Sequence, residues 1–347
     1  MNVLDPSAIR AALQDSPDVR PRDLAASLGL SEGQLVAATV GQTAERIDAQ
    51  PDQLMPKLCG LGDVMALTRN ESAVHERTGS YDEWHPGSHA AMILGPEIDL
   101  RIFPQHWVHG FAIRRPAGDN GPTRSIQVFD ATGLAVHKVY PRAGTDLEAW
   151  DRMIDALSLG DVSDRLDVAP APAPEGARSQ PAKADALREE WRRMTDTHQF
   201  LRLVSKLKMN RLGAYRIAGS PFARPLAPDA VNSALVQVAE AGAPIMLFVG
   251  NQGCIQIHSG TIETLKPMGP WQNVLDPRFN LHLRKDRIAE AWLVQKPTKR
   301  GMALSVEAFD GDGELILQVF GLRKSDADYS AAFANIAETL PIAEVAV

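Results

Sequence analysis

The sequence predicts an α+β protein built as a tandem repeat of two similar halves, each a large antiparallel sheet with N-terminal and C-terminal helices. Three observations carry this. RNESAVHERTG (69–79) aligns with GNQGCIQIHSG (250–260), and PEIDLRIFPQHWVHGFAI (96–113) with PRFNLHLRKDRIAEAWLV (277–294), both at an offset of 181. SIQVFDATGLAVHKVY (125–140) aligns with SVEAFDGDGELILQVF (305–320) at 180. Such a repeat is domain-sized, far longer than solenoid units of roughly 20–50 residues. Finally, strand-like runs follow one another with no helix between them, which favours antiparallel pairing.

Each half opens with helices. Asp23-Leu-Ala-Ala-Ser-Leu-Gly-Leu-Ser31 reads as helix, glycine turn and a second helix capped by Ser31. Leu203, Leu207 and Met209 parallel Leu24, Leu28 and Leu30 in the second half. Alternation and β-branched content then predict strands at Ala91–Leu94, Ile98–Phe103, Val108–Ile113, Ser125–Phe129 and Leu134–Val139. The second-half strands are Ile245–Val249, Cys254–Ile257, Phe279–Leu283, Glu290–Val294, Ala303–Phe309 and Leu315–Phe320. Asp130-Ala-Thr-Gly133 and Asp310-Gly-Asp-Gly313 read as hairpin turns, with glycine supplying positive φ. Closing helices are expected over Asp146–Leu157 and Ser325–Leu340. Residues 168–184 hold four prolines and no large apolar residue after Val168, an extended and poorly packed linker. The expected domains are therefore 1–167, the linker 168–184, and 185–347.

A chain of 347 residues accommodates two such domains. Its net charge of −7 argues against a generally basic nucleic-acid binder. The two cysteines, Cys59 and Cys254, lack metal or disulfide spacing and read as buried structural thiols. No apolar leader and no run of about 18 apolar residues occurs, so a cytoplasmic location without stable membrane insertion is expected.

GxSxG, Walker, GxGxxG and HExxH patterns are all absent. The strongest chemical candidate is His198 in Thr195-Asp-Thr-His-Gln-Phe-Leu-Arg-Leu-Val204. Asp196 or Thr197 can cap a helix whose apolar face is Phe200, Leu203, Val204 and Leu207, with His198 in its first turn. A helix N-terminus disfavours imidazolium and leaves a lone pair for a metal. The plain alternative is a surface or capping histidine. The stretch Ala186–Pro225 carries nine Lys/Arg against three acids, a local +6 suited to carboxylates, phosphates or nucleic acid unless it is a solvated face. The other eight histidines are scattered and read as structural or exposed.

With these residues in hand, the sequence resembles the bacterial haemin-degrading and haem-trafficking family typified by HemS, ChuS and PhuS. ALTRNESAVHERTG, the 96–113 strand pair, THQFLRL, GNQGCIQIHSG and LQVFGLRKSDADY carry the resemblance over nearly the whole chain. It implies a cytoplasmic haem-binding protein of haem uptake and iron acquisition, with one haem in a cleft between the halves. His198 is implied as the axial iron ligand and Arg101 as the distal residue, catalytic if the protein is an enzyme. Arg211, Lys296, Gln318, Phe320 and Arg323 are implied around the porphyrin and its propionates, with Phe320 standing where some relatives have tyrosine. The family's members either degrade haem, using an electron donor and dioxygen, or deliver it to a haem oxygenase. An inner-membrane haem transporter is a further implied partner, and the oligomeric state is monomer or dimer. The competing expectation is a helix-turn-helix-like nucleic-acid-binding or regulatory protein, resting on Asp23–Val40, Leu203–Ala218 and the basic stretch.

Overall fold

The computed structural model describes residues 4–118, 121–324 and 327–343 and divides into two compact units. Unit 1 comprises Met1–Arg69, Glu76–Pro172 and Gly250–Gln256; unit 2 comprises Asn70–His75, Ala173–Val249 and Ile257–Val347. In chain order the elements of the first half are α1 (Pro6–Asp15), α2 (Pro21–Ser27), α3 (Glu32–Ala37), β1 (Ala44–Ile47), α4 (Pro51–Leu58), β2 (Gly62–Arg69), β3 (Ala73–Gly79), β4 (Glu83–His85), β5 (Ala91–Leu94), β6 (Asp99–Ile102), β7 (His109–Gly118), β8 (Gly121–Phe129), β9 (Ala135–Thr145) and α5 (Leu147–Leu157). The second half follows with α6 (Ala184–Arg192), α7 (Gln199–Lys206), α8 (Arg211–Ala218), β10 (Ala223–Leu226), α9 (Ala230–Glu240), β11 (Ile245–Gly250), β12 (Cys254–Gly260), β13 (Leu265–Met268), β14 (Trp271–Asp276), β15 (Phe279–Arg284), β16 (Glu290–Thr298), β17 (Gly301–Phe309), β18 (Leu315–Gly321) and α10 (Ser330–Glu338). Every helix recurs five places on and every strand nine, so the repeat seen in the letters is a repeat of the fold.

Among the described residues the strands form two large sheets. Within unit 1 the antiparallel run is β1-β7-β8-β9-β2, with a second run β4-β5-β6. Within unit 2 the same pattern appears as β10-β16-β17-β18-β11 and β13-β14-β15. The hairpin turns have the expected chemistry. Asp130 Oδ1 accepts from the amides of Thr132 (2.8 Å) and Leu134 (3.1 Å), and Asp310 Oδ1 from Asp312 (3.0 Å) and Glu314 (2.9 Å). Gly133 and Gly313 take φ of 78° and 82°, which a side chain would resist.

Period-2 alternation gives each five-stranded run two faces. In unit 1 one face, with Val64, Ala66, Ile126, Val128 and Val139, packs on α4 and α5. In unit 2 the equivalent face, with Leu247, Val249, Val306, Leu317 and Val319, packs on α9 and α10. The opposite face of the unit 2 run is partly covered by α6, α7 and α8, whose Trp191, Phe200 and Tyr215 lie on Trp292, Val294 and Phe309. Phe200 alone is 1% exposed, and burying such a ring contributes about 2–3 kcal/mol, which anchors α7.

The closing helix of unit 2 begins at Ser330 with Tyr329 as its N-cap; Ser325, where it was expected to begin, lies outside the described residues. Residues 158–180 carry no helix or strand. Ala171–Glu175 are exposed, but Ala169 N–H donates to Ala131 O (2.8 Å) and Arg178 N–H to Asn210 Oδ1 (2.9 Å), so the flanks are tied down. Cys254 is buried as expected, whereas Cys59 is half-buried at the end of α4.

The helix-turn-helix reading fails on burial. In the α2–α3 pair the second helix is interior: Gly33, Leu35, Val36 and Ala37 are buried, and Gly33 N–H donates to Gly133 O. Its twin α8 buries Leu212, Gly213, Ala214 and Tyr215. Neither offers an exposed recognition face. Four of the nine basic residues of the stretch, Arg188, Arg193, Arg211 and Arg216, are paired to Asp185, Glu189, Glu307 and Glu290.

Candidate functional site

The face of the unit 2 sheet that is partly covered by α6, α7 and α8 carries the sequence-predicted Lys296, Gln318 and Phe320. Register places Trp292, Val294 and Lys296 on β16, Ser305, Glu307 and Phe309 on β17, Gln318 and Phe320 on β18, and Met246 and Phe248 on β11 along one face. At its centre is a residue that the sequence reading missed. Glu307 is 0% exposed and accepts from Arg211 (3.0 Å) and the Tyr215 hydroxyl (2.8 Å) on Oε2, and from Lys296 (2.7 Å) and Ser305 (2.8 Å) on Oε1. Burial would raise its pKa, but Lys296 and Arg211 overcome that and hold it far below the usual carboxylate range.

Lys296 was expected beside the ligand. Its side chain is only 4% exposed, and its ammonium meets Glu307, the Tyr215 hydroxyl (2.9 Å) and the Phe200 ring (4.9 Å to the centroid). Burial lowers its pKa to about 8 against the opposing pull of Glu307. Arg211, the first residue of α8, retains 20% exposure.

His198 lies at the head of α7 as its N-cap residue, rather than within the first turn. Phe200, two residues on, anchors that end of the helix against Lys296. The imidazole is 91% exposed, with Nδ1 2.7 Å from Asp196 Oδ1, which also accepts the His198 amide (2.8 Å). A carboxylate on Nδ1 selects the tautomer that carries the proton there, and turns the Nε2 lone pair outward. Metal-binding histidines are commonly braced in this way.

Gln318 pairs with Glu307 across β17–β18, and Phe320 packs edge-on against Phe248 at 5.4 Å, both half-buried on the same face. Arg323, just past β18, donates to Asp328 Oδ2 (2.8 Å) and to the carbonyl of Arg300. Arg101 belongs to unit 1, on β6, where it is 30% exposed and bound to Asp99 and to the carbonyl of Leu100 (3.0 Å). Unit 2 thus gathers Arg211, Lys296, Gln318 and Phe320 on one face, with His198 at the head of the covering helix.

A family model described as the haemin-degrading HemS/ChuX domain matches residues 29–157 and again 208–340. The chain belongs to this family. It is 38% identical over 313 residues to the hemin transport protein HemS of Yersinia enterocolitica, covering 90% of each chain. Its fold superposes on the holo form of PhuS, a heme-binding protein from Pseudomonas aeruginosa, with a TM-score of 0.93, 42% identity, and coverage of 98% of this chain and 100% of that one. Against the heme degrading enzyme ChuS of Escherichia coli O157:H7 the TM-score is 0.86 at 32% identity, covering 95% and 96%. The two matched segments of the family model fall one in each half, as the internal repeat requires.

Among the described residues no group of three or more His, Cys, Asp or Glu could hold a metal ion, and no helix is long and apolar enough to cross a membrane. A second buried polar cluster lies in unit 1. The Tyr81 hydroxyl is 2.5 Å from His137 Nε2, Thr68 Oγ1 is 2.9 Å from His137 Nδ1, and Thr68 Oγ1 is 3.6 Å from Cys254 Sγ. Glu307 could have been flagged from the repeat itself: an acid stands at position 307 where the first copy has the neutral Gln127.

Proposed function

We propose that this chain binds one haem through unit 2 and serves haem uptake and iron acquisition in the cytoplasm, degrading haem or delivering it to a haem oxygenase. The observation that carries the reading is His198, an exposed imidazole braced by Asp196 with its second nitrogen turned outward. Haem is a flat apolar disc with an iron and two carboxylates, and it supplies the redox chemistry when bound. Binding it takes one axial nitrogen, an apolar surface and a cation at the edge. His198 supplies the first, Phe248 and Phe320 the second, and Arg211 the third. Gln318 and Arg323 fall beside them on or after β18. Arg101 enters as the distal residue through the family resemblance. An electron donor and dioxygen are the co-reactants of the degrading activity, and an inner-membrane haem transporter is a source of cargo.

The test is a ferric haem titration of the wild type and His198→Ala. The variant is expected to bind at least tenfold more weakly, with a shifted or broadened Soret band, because the iron loses its protein bond. Unchanged affinity together with an unchanged spectrum removes His198 as the ligand. Degradation is separated from delivery by adding ascorbate in air with catalase present. Loss of the Soret band under those conditions identifies turnover, whereas full protection by catalase identifies free peroxide as the oxidant and leaves the carrier role.

A further inference from the structure

We propose that Glu307 is the positioning residue of this site, holding Arg211 as the outward receptor for a ligand carboxylate and retaining Lys296 as its internal counter-ion. The inference rests on the haem reading and deepens it. Each carboxylate oxygen of Glu307 takes two hydrogen bonds, so its acceptor capacity is filled by Arg211, Tyr215, Lys296 and Ser305. Lys296, with its side chain 4% exposed, cannot meet a ligand without opening the cluster. Arg211 is a fifth exposed and has five N–H donors, so it is the cation of this cluster that can grip a carboxylate in bidentate fashion.

The other copy of the repeat shows what happens without this arrangement. At the first position of α3, where α8 has Arg211, unit 1 has Glu32, and opposite it Gln127 replaces Glu307. Glu32 is 6% exposed and takes Arg69 (2.7 Å) and Lys138 (2.5 Å). The polarity of the helix-to-sheet ion cluster is reversed, and the helix residue there is an interior acid. Gln127 Oε1 is buried without a partner. The same backbone therefore makes an anion receptor in one copy only, and the strand residue at 307 decides which side chain the helix must carry.

The test compares haem with haem dimethyl ester, which keeps the ring and iron but loses both carboxylate charges. Affinities are measured at pH 7 on the full chain for the wild type, Glu307→Gln, and the double variant Glu307→Gln/Lys296→Met. The wild type should prefer haem by about tenfold or more, the scale of a charge-assisted hydrogen bond. Both variants should bring the two affinities to within about twofold while keeping the Soret band that depends on His198. The double variant removes one interior charge of each sign, so it decides the question if the single variant does not fold. A preference that survives in the folded double variant, or that is missing from the wild type, overturns the assignment. Absence of a His198-dependent Soret band in the wild type would instead sink the haem reading itself.

Discussion

Acid should destabilise this protein through one histidine, and His137 provides a measurable case. The ring is 1% exposed, within the core that includes Trp107, Val128 and Val139. Burial holds the Tyr81 phenol well above its usual range, so it stays protonated and donates to His137 Nε2. Nδ1–H then donates to Thr68 Oγ1, whose own hydrogen points to Cys254 Sγ. A second proton on Nε2 would face the Tyr81 hydroxyl hydrogen and place a cation among apolar side chains. Burial accordingly pushes the pKa from 6.5 down to about 3. The folded value lies below the unfolded one, so the unfolded chain takes up a proton first as pH falls. Stability from this group is complete above about 6.5 and falls by ~1.4 kcal/mol per unit until about pH 3. At pH 5 the loss is ~2 kcal/mol. His137→Gln keeps an acceptor and a donor but cannot titrate. Its deficit against the wild type, measured by urea unfolding, should shrink by that ~2 kcal/mol between pH 7 and pH 5, with slopes from other groups cancelling. An NMR titration of the imidazole checks the cause directly. A deficit equal at both pH values, or a ring that titrates above pH 6 in the folded protein, refutes the reasoning.

Glu32→Gln should cost ~3 kcal/mol or more by urea unfolding at pH 7, because it leaves Lys138 and Arg69 as buried cations without their shared partner. Its carboxyl is held at about 2 by those cations against the effect of burial, below the unfolded 4.5. Its contribution is thus present above about pH 4.5 and lost as pH falls towards 2, and a wild-type–variant difference that does not shrink over that window argues against the ion cluster. Arg101→Ala should retain haem but slow the ascorbate-driven loss of the Soret band in the presence of catalase. An unaltered rate would remove Arg101 from the distal position.

Much of the architecture was legible because local chemistry and global fold agree. The Asp130 and Asp310 turns, the Ser31 cap with its Gln34 reciprocal bond, and most central strands follow from residue type and alternation. Among the strands that escaped, β1 (AERI), β4 (EWH), β10 (ARPL) and β13 (LKPM) are three or four residues long, carry charge or proline, and sit at sheet edges. Edges are where short, charged strands are tolerated, so their sequences lack the apolar alternation that marks central strands. The site was legible in part. His198 stood out by its expected place in the first turn of an amphipathic helix, but its N-cap position and its Asp196 brace are matters of local geometry. Lys296, implied near the ligand by the resemblance, has its ammonium inside the cluster, because its long side chain reaches Glu307 on the neighbouring strand β17, whose direct cross-strand partner is Trp292. His137 was grouped with scattered histidines because its partners Tyr81, Thr68 and Cys254 are 56, 69 and 117 residues distant.

The two copies share an apolar frame and diverge at buried ionisable groups. At the repeat offsets, His137, Thr68, Tyr81 and Cys254 of unit 1 correspond to Leu317, Val249, Ile262 and Ala73, all members of the apolar core of unit 2. The fold therefore does not require a polar network at that place, since the sister unit fills it with aliphatic side chains. Conversely, the ion cluster around Glu307 is rebuilt in unit 1 around Glu32 with its polarity reversed. A fully satisfied buried network adds little net stability over an apolar one and becomes costly only when a partner is removed. The framework thus explains why both halves fold alike, while the placement of a few interior charges explains why one half leaves Arg211 partly exposed at the head of its helix and the other puts the interior acid Glu32 there. Substitutions in the shared apolar frame should consequently weaken either half to a similar degree, whereas those that alter ligand recognition should cluster at the positions where the copies differ.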